Sequence, residues 1–262
     1  MMPVASINQS LRPDDARVRL SVDGLQIFAE KGISVAAAIE ATGRHEFSRG
    51  IKGDGRGLFC GMGVCHDCLV TIDGKVSQRA CMTTVDNDMQ VLRPAARPDL
   101  ATGQIADLCG VPQSLTTRTM DVLIVGAGPA GLAAAEVLAA VGAKVTVIDE
   151  RPSAGGQYFK QPSTRSAAER WSGDEQALSG AALIGEVRDH GVTFLTATVV
   201  WGGARDDDGS LIIACYGSGH AFYCKPKMLI IATGAYERPT PVTGWTLPGA
   251  MTTGAAQTLL RS

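Results

Sequence analysis

Four cysteines crowd into one short stretch of a 262-residue chain: Cys60, Cys65, Cys68 and Cys81, spaced C-x4-C-x2-C with the fourth after twelve further residues. Any fold open to this chain must bring those sulfurs together or leave them as isolated thiols. The residues between the third and fourth cysteine say how they can meet. Leu69 to Ile72 reads as a strand, Asp73-Gly74 as a two-residue hairpin turn, and the chain beyond as the returning strand. If Ile72 pairs with Lys75, the same register places Cys81 opposite His66, between Cys65 and Cys68. The hairpin then delivers the fourth sulfur to the other three.

A triple of cysteines at this spacing, followed by a distant fourth, suits a [2Fe–2S] cluster, so Cys60, Cys65, Cys68 and Cys81 are the predicted metal ligands. Gly61 and Gly63 lie between ligands, where a chain wrapping a compact anion needs unusual dihedrals and inward N–H groups. Gly53, Gly55 and Gly57 precede them, and Arg44, Arg49, Lys52 and Arg56 are near enough in sequence to offset the cluster's charge. Four thiolates also suit structural zinc. Zinc sites, however, usually present two short knuckles, whereas this stretch is a triple and a lone cysteine. His66 reads as a surface residue.

Seven cysteines in a chain whose start, Met1 to Arg17, shows no export signal point to reduced thiols and a cytoplasmic protein. A formal net charge of −2 leaves no basic footprint for nucleic acid. No apolar run approaches the roughly 20 residues that span a bilayer. Glycine reaches 31 residues while aromatics make up 5%, so much of the backbone serves tight turns and close approaches.

Two domains are expected. After a tail (1–17), residues 18–95 read as hairpin, helix, functional loop, hairpin and final strand, the order of a β-grasp fold. Val18, Leu20 and Val22 face Leu25, Ile27 and Ala29 across Asp23-Gly24; Ser34 caps a helix that stops at Gly43; Met89 to Leu92 closes the sheet. A proline-marked linker (96–119) follows and contains Cys109, read as structural or incidental. The stretch from Gly57 through Cys60, Cys65 and Cys68 to Gly74, with Arg79-Ala-Cys-Met-Thr, resembles the [2Fe–2S] domain of hydrogen cyanide synthase small subunits, opine oxidases and related amine dehydrogenases.

Residues 120–262 read as an FAD/NAD(P)-binding domain of Rossmann-like, glutathione-reductase type, incomplete in length. Strand Val122 to Val125 runs into Gly126-Ala-Gly-Pro-Ala-Gly131, then a helix from Pro129, then a strand from Lys144 to Ile148 ending in Asp149-Glu150. Gly126 permits the tight turn, Gly128 lets pyrophosphate approach, and Gly131 lets helix and strand pack. Pro129 and Ala130 open the helix, whose N-terminus attracts phosphate. Asp149 or Glu150 is placed for ribose hydroxyls.

Arg151-Pro-Ser-Ala-Gly-Gly156-Gln157 resembles the segment beside the flavin in glutathione-reductase-like proteins, and Ala232-Thr233-Gly234 resembles their strand–ATG turn. The stretch from Ala235 to Gln257 is similar to the middle subunit of hydrogen cyanide synthase and the α subunit of sarcosine oxidase. The resemblance implies FAD at this site, with NAD as the alternative occupant.

Further elements are predicted: a helix from Glu175 to Asp189 and strands Val192 to Val200, Leu211 to Tyr216, Ala221 to Cys224 and Lys227 to Ile231. Asp206-Asp-Asp-Gly is a solvated turn, and Cys215 and Cys224 face each other as buried small apolar residues.

No second G-x-G-x-x-G and no segment closing the flavin pocket follow, so the chain is expected to stop inside what resembles a longer protein. No catalytic acid–base pair or nucleophile stands out, and His45, His66, His190 and His220 read as loop or turn residues. The reading is an electron-transferring oxidoreductase subunit of α/β plus α+β class. A flavin and a one-electron cluster would serve a heteromeric amine or amino-acid dehydrogenase acting on glycine, an opine, sarcosine or proline. The expected partners are a subunit of flavin amine-oxidase type and a polypeptide supplying the missing flavoprotein parts. The alternative is a non-catalytic nucleotide-binding scaffold or a truncated inactive fragment.

Overall fold

Arg17–Val22 (β1) and Leu25–Glu30 (β2) pair antiparallel around Asp23 and Gly24, at φ 51° and 79°. Two successive left-handed residues give the turn whose twist matches a hairpin. Val18, Leu20 and Val22 alternate to the inside and are buried. Val35–Glu40 (α1) starts at Ser34, whose hydroxyl accepts from Ala37 N at 3.1 Å, and its first five residues are buried. Ser48–Arg49 (β3) and Gly55–Arg56 (β4) form a small ribbon beside the cysteine loop.

Leu69–Ile72 (β5), Lys75–Arg79 (β6) and Gln90–Leu92 (β7) complete a five-stranded sheet in the order β2-β1-β7-β5-β6. Strand β7 runs parallel to β1 and antiparallel to β5. One core joins α1 (Val35, Ile39) to the sheet (Leu20, Val70, Val91), the arrangement expected for a β-grasp domain. These elements are drawn from a computed structural model that describes residues 17–50, 52–93, 115–238 and 240–261.

The second hairpin departs from its expected register. Ile72 pairs with Lys75 as anticipated, but Val70 pairs with Gln78 and Leu69 with Arg79. A bulge inserts one extra residue in β6, where Ser77 takes φ 58°. Continued outward, that register sets Cys81 across from Asp67, not His66, and Ala80 N donates to Cys68 O at 3.1 Å.

The second unit opens with Thr116–Val125 (β8), which begins inside the predicted linker; the rest of that linker, with Cys109, lies outside the described residues. Pro129–Ala140 (α2), Val145–Ile148 (β9), Arg165–Arg170 (α3) and Glu175–Asp189 (α4) follow. The strand predicted over Val192 to Val200 is two strands, Thr193–Leu195 (β10) and Thr198–Arg205 (β11), because Ala197 at φ 50° breaks it.

Leu211–Gly217 (β12) turns into His220–Ile231 (β13), which fuses two predicted strands. Pro226 is tolerated within it because pairing with β12 ends at Cys224, leaving that side of the proline without a ladder to interrupt. The sheet order is β10-β9-β8-β13-β12-β11, parallel over the first four strands and antiparallel over the last three. Alternate residues of β8 serve opposite faces: Ile124 packs with Leu132, Val147 and Ile184 under the helices, and Leu123 with Ile213 and Phe222 on the other side. Helices α2 and α4 cover one face, and an apolar cluster from the strands themselves lies on the other, in a Rossmann-like parallel order.

Residues 240–260, ending in Thr253–Leu260 (α5), form part of the first unit. Thr252 N donates to Phe59 O at 2.9 Å, and Leu259 joins the β-grasp core. These residues belong to the stretch predicted as the second domain, 120–262, yet they cluster with the cysteine-bearing unit.

Candidate functional site

The cysteine loop is built around sulfur. Cys60, Cys68 and Cys81 are buried and Cys65 is half-buried. Cys60 Sγ accepts from Met62 N and Cys65 N, each at 3.5 Å. Cys60 and Cys65 influence each other's titration most, as do Cys68 and Cys81. The hydrogen bond with Cys65, joined by backbone N–H groups, brings Cys60 down to about 5 against the cost of burial, while the same bond and burial push Cys65 up. Cys68 is lowered by its bond with Cys81, and Cys81 is raised by it. The charge on Cys60 also raises Cys68 and Cys81.

Among the described residues no three His, Cys, Asp or Glu side chains gather closely enough to hold one ion. Four cysteines in one loop suit two irons with two thiolates each, or a single tetrahedral zinc.

Two of the cations expected near the loop are held by acids. Arg49 pairs with Glu46 at 2.8 Å and Arg56 with Asp67 at 3.1 Å. Arg79, which was not anticipated, reaches inside, its Nη1 donating to Gly63 O at 3.2 Å. Its place just before Cys81 on the returning strand was the available signal. The segment after the second unit also meets the loop. Trp245 stands edge-on to Phe59, ring centres 5.1 Å apart, and a Cβ on Gly61 would lie 2.7 Å from Ala255 Cα. Nothing local in the sequence marks either partner.

In the second unit an open cleft of about 450 Å³ gathers nearly all the predicted nucleotide residues. Gly126, Gly128, Pro129 and Ala130 line it with Asp149 and Glu150, Gly156 and Gln157, and Thr233 and Gly234. Gly131 is outside the lining, since a Cβ there would sit 1.9 Å from Gly126 O; its glycine serves packing.

The two acids at the end of β9 divide their labour. Asp149 accepts from Ala127 N at 2.6 Å and Arg151 N at 2.8 Å, bracing the glycine turn. Burial raises its pKa despite those N–H partners. Glu150 faces the cleft and accepts from the Tyr236 hydroxyl, a residue not anticipated. Burial, then that bond to Glu150, push the Tyr236 phenol up to about 12.

The cleft fits a large anionic nucleotide. A Cβ on Gly128 would meet nothing nearer than Gly156 Cα at 3.9 Å, so the turn leaves open space where phosphate would approach. Arg151 Nη2 is buried with no hydrogen-bond partner among the described residues, a donor awaiting an acceptor. Elsewhere, Cys215 and Cys224 are not directly opposed: Cys215 pairs with Phe222 and Cys224 with Ile213, though their sulfurs approach to 3.8 Å inside the core.

Residues 120–260 match the family described as pyridine nucleotide-disulphide oxidoreductase, more than half of the chain. The chain belongs to the pyridine nucleotide-disulphide oxidoreductase family. Residues 15–95 match the 2Fe-2S iron-sulfur cluster binding domain, so this oxidoreductase joins a [2Fe–2S] domain to an FAD/NAD-type domain.

An opine oxidase subunit of Agrobacterium tumefaciens (strain Ach5) is 38% identical over 153 residues, 54% of this chain and 29% of that protein. Hydrogen cyanide synthase subunit HcnA of Pseudomonas protegens is 45% identical over 76 residues, 29% of this chain and 72% of that subunit. L-Proline dehydrogenase from P. horikoshii shares the fold, with a TM-score of 0.73 at 18% identity over 97% of this chain and 47% of that one. This oxidoreductase chain thus spans under a third of the opine oxidase subunit's length. Among its described residues no helix is long and apolar enough to cross a membrane.

Proposed function

We propose that the chain is an electron-transferring subunit of a heteromeric amine or amino-acid dehydrogenase. In this reading Cys60, Cys65, Cys68 and Cys81 hold the [2Fe–2S] cluster. Gly126, Gly128, Pro129 and Ala130 with Glu150, Gly156, Gln157, Thr233 and Gly234 form the FAD site, braced by Asp149 and by the packing of Gly131. The observation that carries it is one chain holding both a mostly buried four-cysteine loop, with backbone N–H groups on the Cys60 sulfur, and a nucleotide cleft. When bound, FAD takes part in two-electron chemistry and the cluster passes electrons singly.

The chain's own residues bind and shield. Met62 and Cys65 N–H groups reach the Cys60 sulfur, where they stabilise negative charge. Burial of Cys60, Cys68 and Cys81 keeps water from three of the four sulfurs. In the cleft, the start of α2 offers N–H groups to phosphate, Arg151 adds a cation, and Glu150 accepts from sugar hydroxyls.

The names of the relatives, subunits of opine oxidase and hydrogen cyanide synthase, support an amine or amino-acid substrate and partner subunits. A second polypeptide of flavin amine-oxidase type is the proposed partner, and the free described cysteines favour the cytoplasm.

Anaerobic purification tests the reading. Iron and acid-labile sulfide in equal amounts, a paramagnetic signal after dithionite and bound FAD are expected. Zinc in place of iron, or a colourless protein without flavin, would overturn it.

A further inference from the structure

The glycine motif and the acid at the end of β9 leave one member of the cleft unexplained. Tyr236 stands two residues beyond Gly234, on the chain leaving the turn, and its hydroxyl donates to Glu150 Oε1. Both residues line the cleft. Asp149 has its two oxygens committed to Ala127 and Arg151 N–H groups, which leaves Glu150 as the acid with acceptor capacity facing the ligand. An ionised carboxylate has about four lone-pair sites, and Tyr236 draws on one oxygen only.

We propose that Tyr236 is a positioning residue for the sugar of the bound nucleotide: holding Glu150 Oε1, it aims Oε2 at the ribose hydroxyls of an adenine nucleotide. This rests on the cleft being the nucleotide site argued above. A glutamate side chain loses appreciable rotamer freedom when fixed, and a partner that fixes it beforehand lowers the cost of ligand binding. The donor is dependable, because a phenol pushed up to about 12 keeps its proton at neutral pH.

The test is calorimetric titration of the full chain, freed of bound nucleotide, with ADP and with 2′,3′-dideoxy-ADP. Tyr236→Phe keeps the ring and removes only the donor. It is expected to weaken ADP about three- to tenfold, the range of one hydrogen bond, and to leave dideoxy-ADP binding unchanged. In a Glu150→Ala background the same change is expected to add nothing.

Equal weakening toward both ligands would mark Tyr236 as merely structural, and unchanged or tighter ADP binding would mark it as idle or obstructive; each overturns the proposal. A parent chain that binds neither ADP nor FAD removes the nucleotide site itself and this proposal with it. A parent that binds while the variant behaves identically removes this proposal alone.

Discussion

The cysteine loop and the nucleotide turn are both glycine-rich and both suited to an anion, yet they are held in shape differently. In the turn, the crowding comes from within its own domain: Gly131 lies against Gly126 O and Gly126 against Ala232 O at the end of β13, while Gly128 faces open space. In the loop, the crowding arrives from far down the chain, where Ala255 and Pro248 press on Gly61 and Gly57. The turn is closed by a strand end of its own domain; the loop is completed by a segment that follows the second domain. The difference teaches that a glycine can be required by the ligand, by its neighbours, or by a remote piece of backbone, and that these cases fail differently when changed.

The largest expected effect separates the two sites. Cys68→Ser should abolish the cluster, with iron content and the reduced-state paramagnetic signal falling to background, while FAD content stays at the parental level. Loss of both cofactors would mean the two sites are not independent.

Next come the two kinds of turn glycine. Gly131→Val drives a side chain into a backbone carbonyl and should cost about 3 kcal/mol or more in denaturant unfolding. Gly128→Val should keep stability within about 0.5 kcal/mol and lose FAD binding, seen as absent flavin absorbance. If both variants simply unfold, the distinction between packing and ligand glycines is wrong.

A smaller effect sharpens the remote contact. Ala255→Leu overfills the space against Gly61 and should cost about 1–3 kcal/mol, lowering cluster content with FAD retained. Unchanged iron content would show that the contact does not support the loop.

The smallest effect is a pH dependence confined to the turn. Asp149 has a folded pKa raised above its unfolded value by burial. Its contribution to stability is therefore fullest below the ordinary carboxylate range and is lost as pH rises through the folded value. Thermal melting across that window should decline more in the parent than in Asp149→Asn; parallel profiles would contradict the assignment.

Much of the nucleotide site was legible because it is a local device: strand, turn, helix and strand follow in order, and their residues meet through hydrogen bonds along one sheet. The choice between Asp149 and Glu150 was not legible, since adjacent acids look alike until one is seen accepting from Ala127 and Arg151 N–H groups. The hairpin carrying Cys81 was expected, but its bulge at Ser77 was not, because one extra residue in an edge strand leaves no pattern in side-chain type.

From its own order of residues, then, this chain determined the cysteine set, the glycine turn and the class of both domains, all of which depend on short-range spacing and backbone geometry. Only tertiary structure decided that backbone N–H groups meet the Cys60 sulfur, that Tyr236 meets Glu150, and that residues 240–260 pack on the cysteine-bearing unit. The physical reason is that these contacts join segments distant along the chain, where shape complementarity and register select partners that no local periodicity encodes.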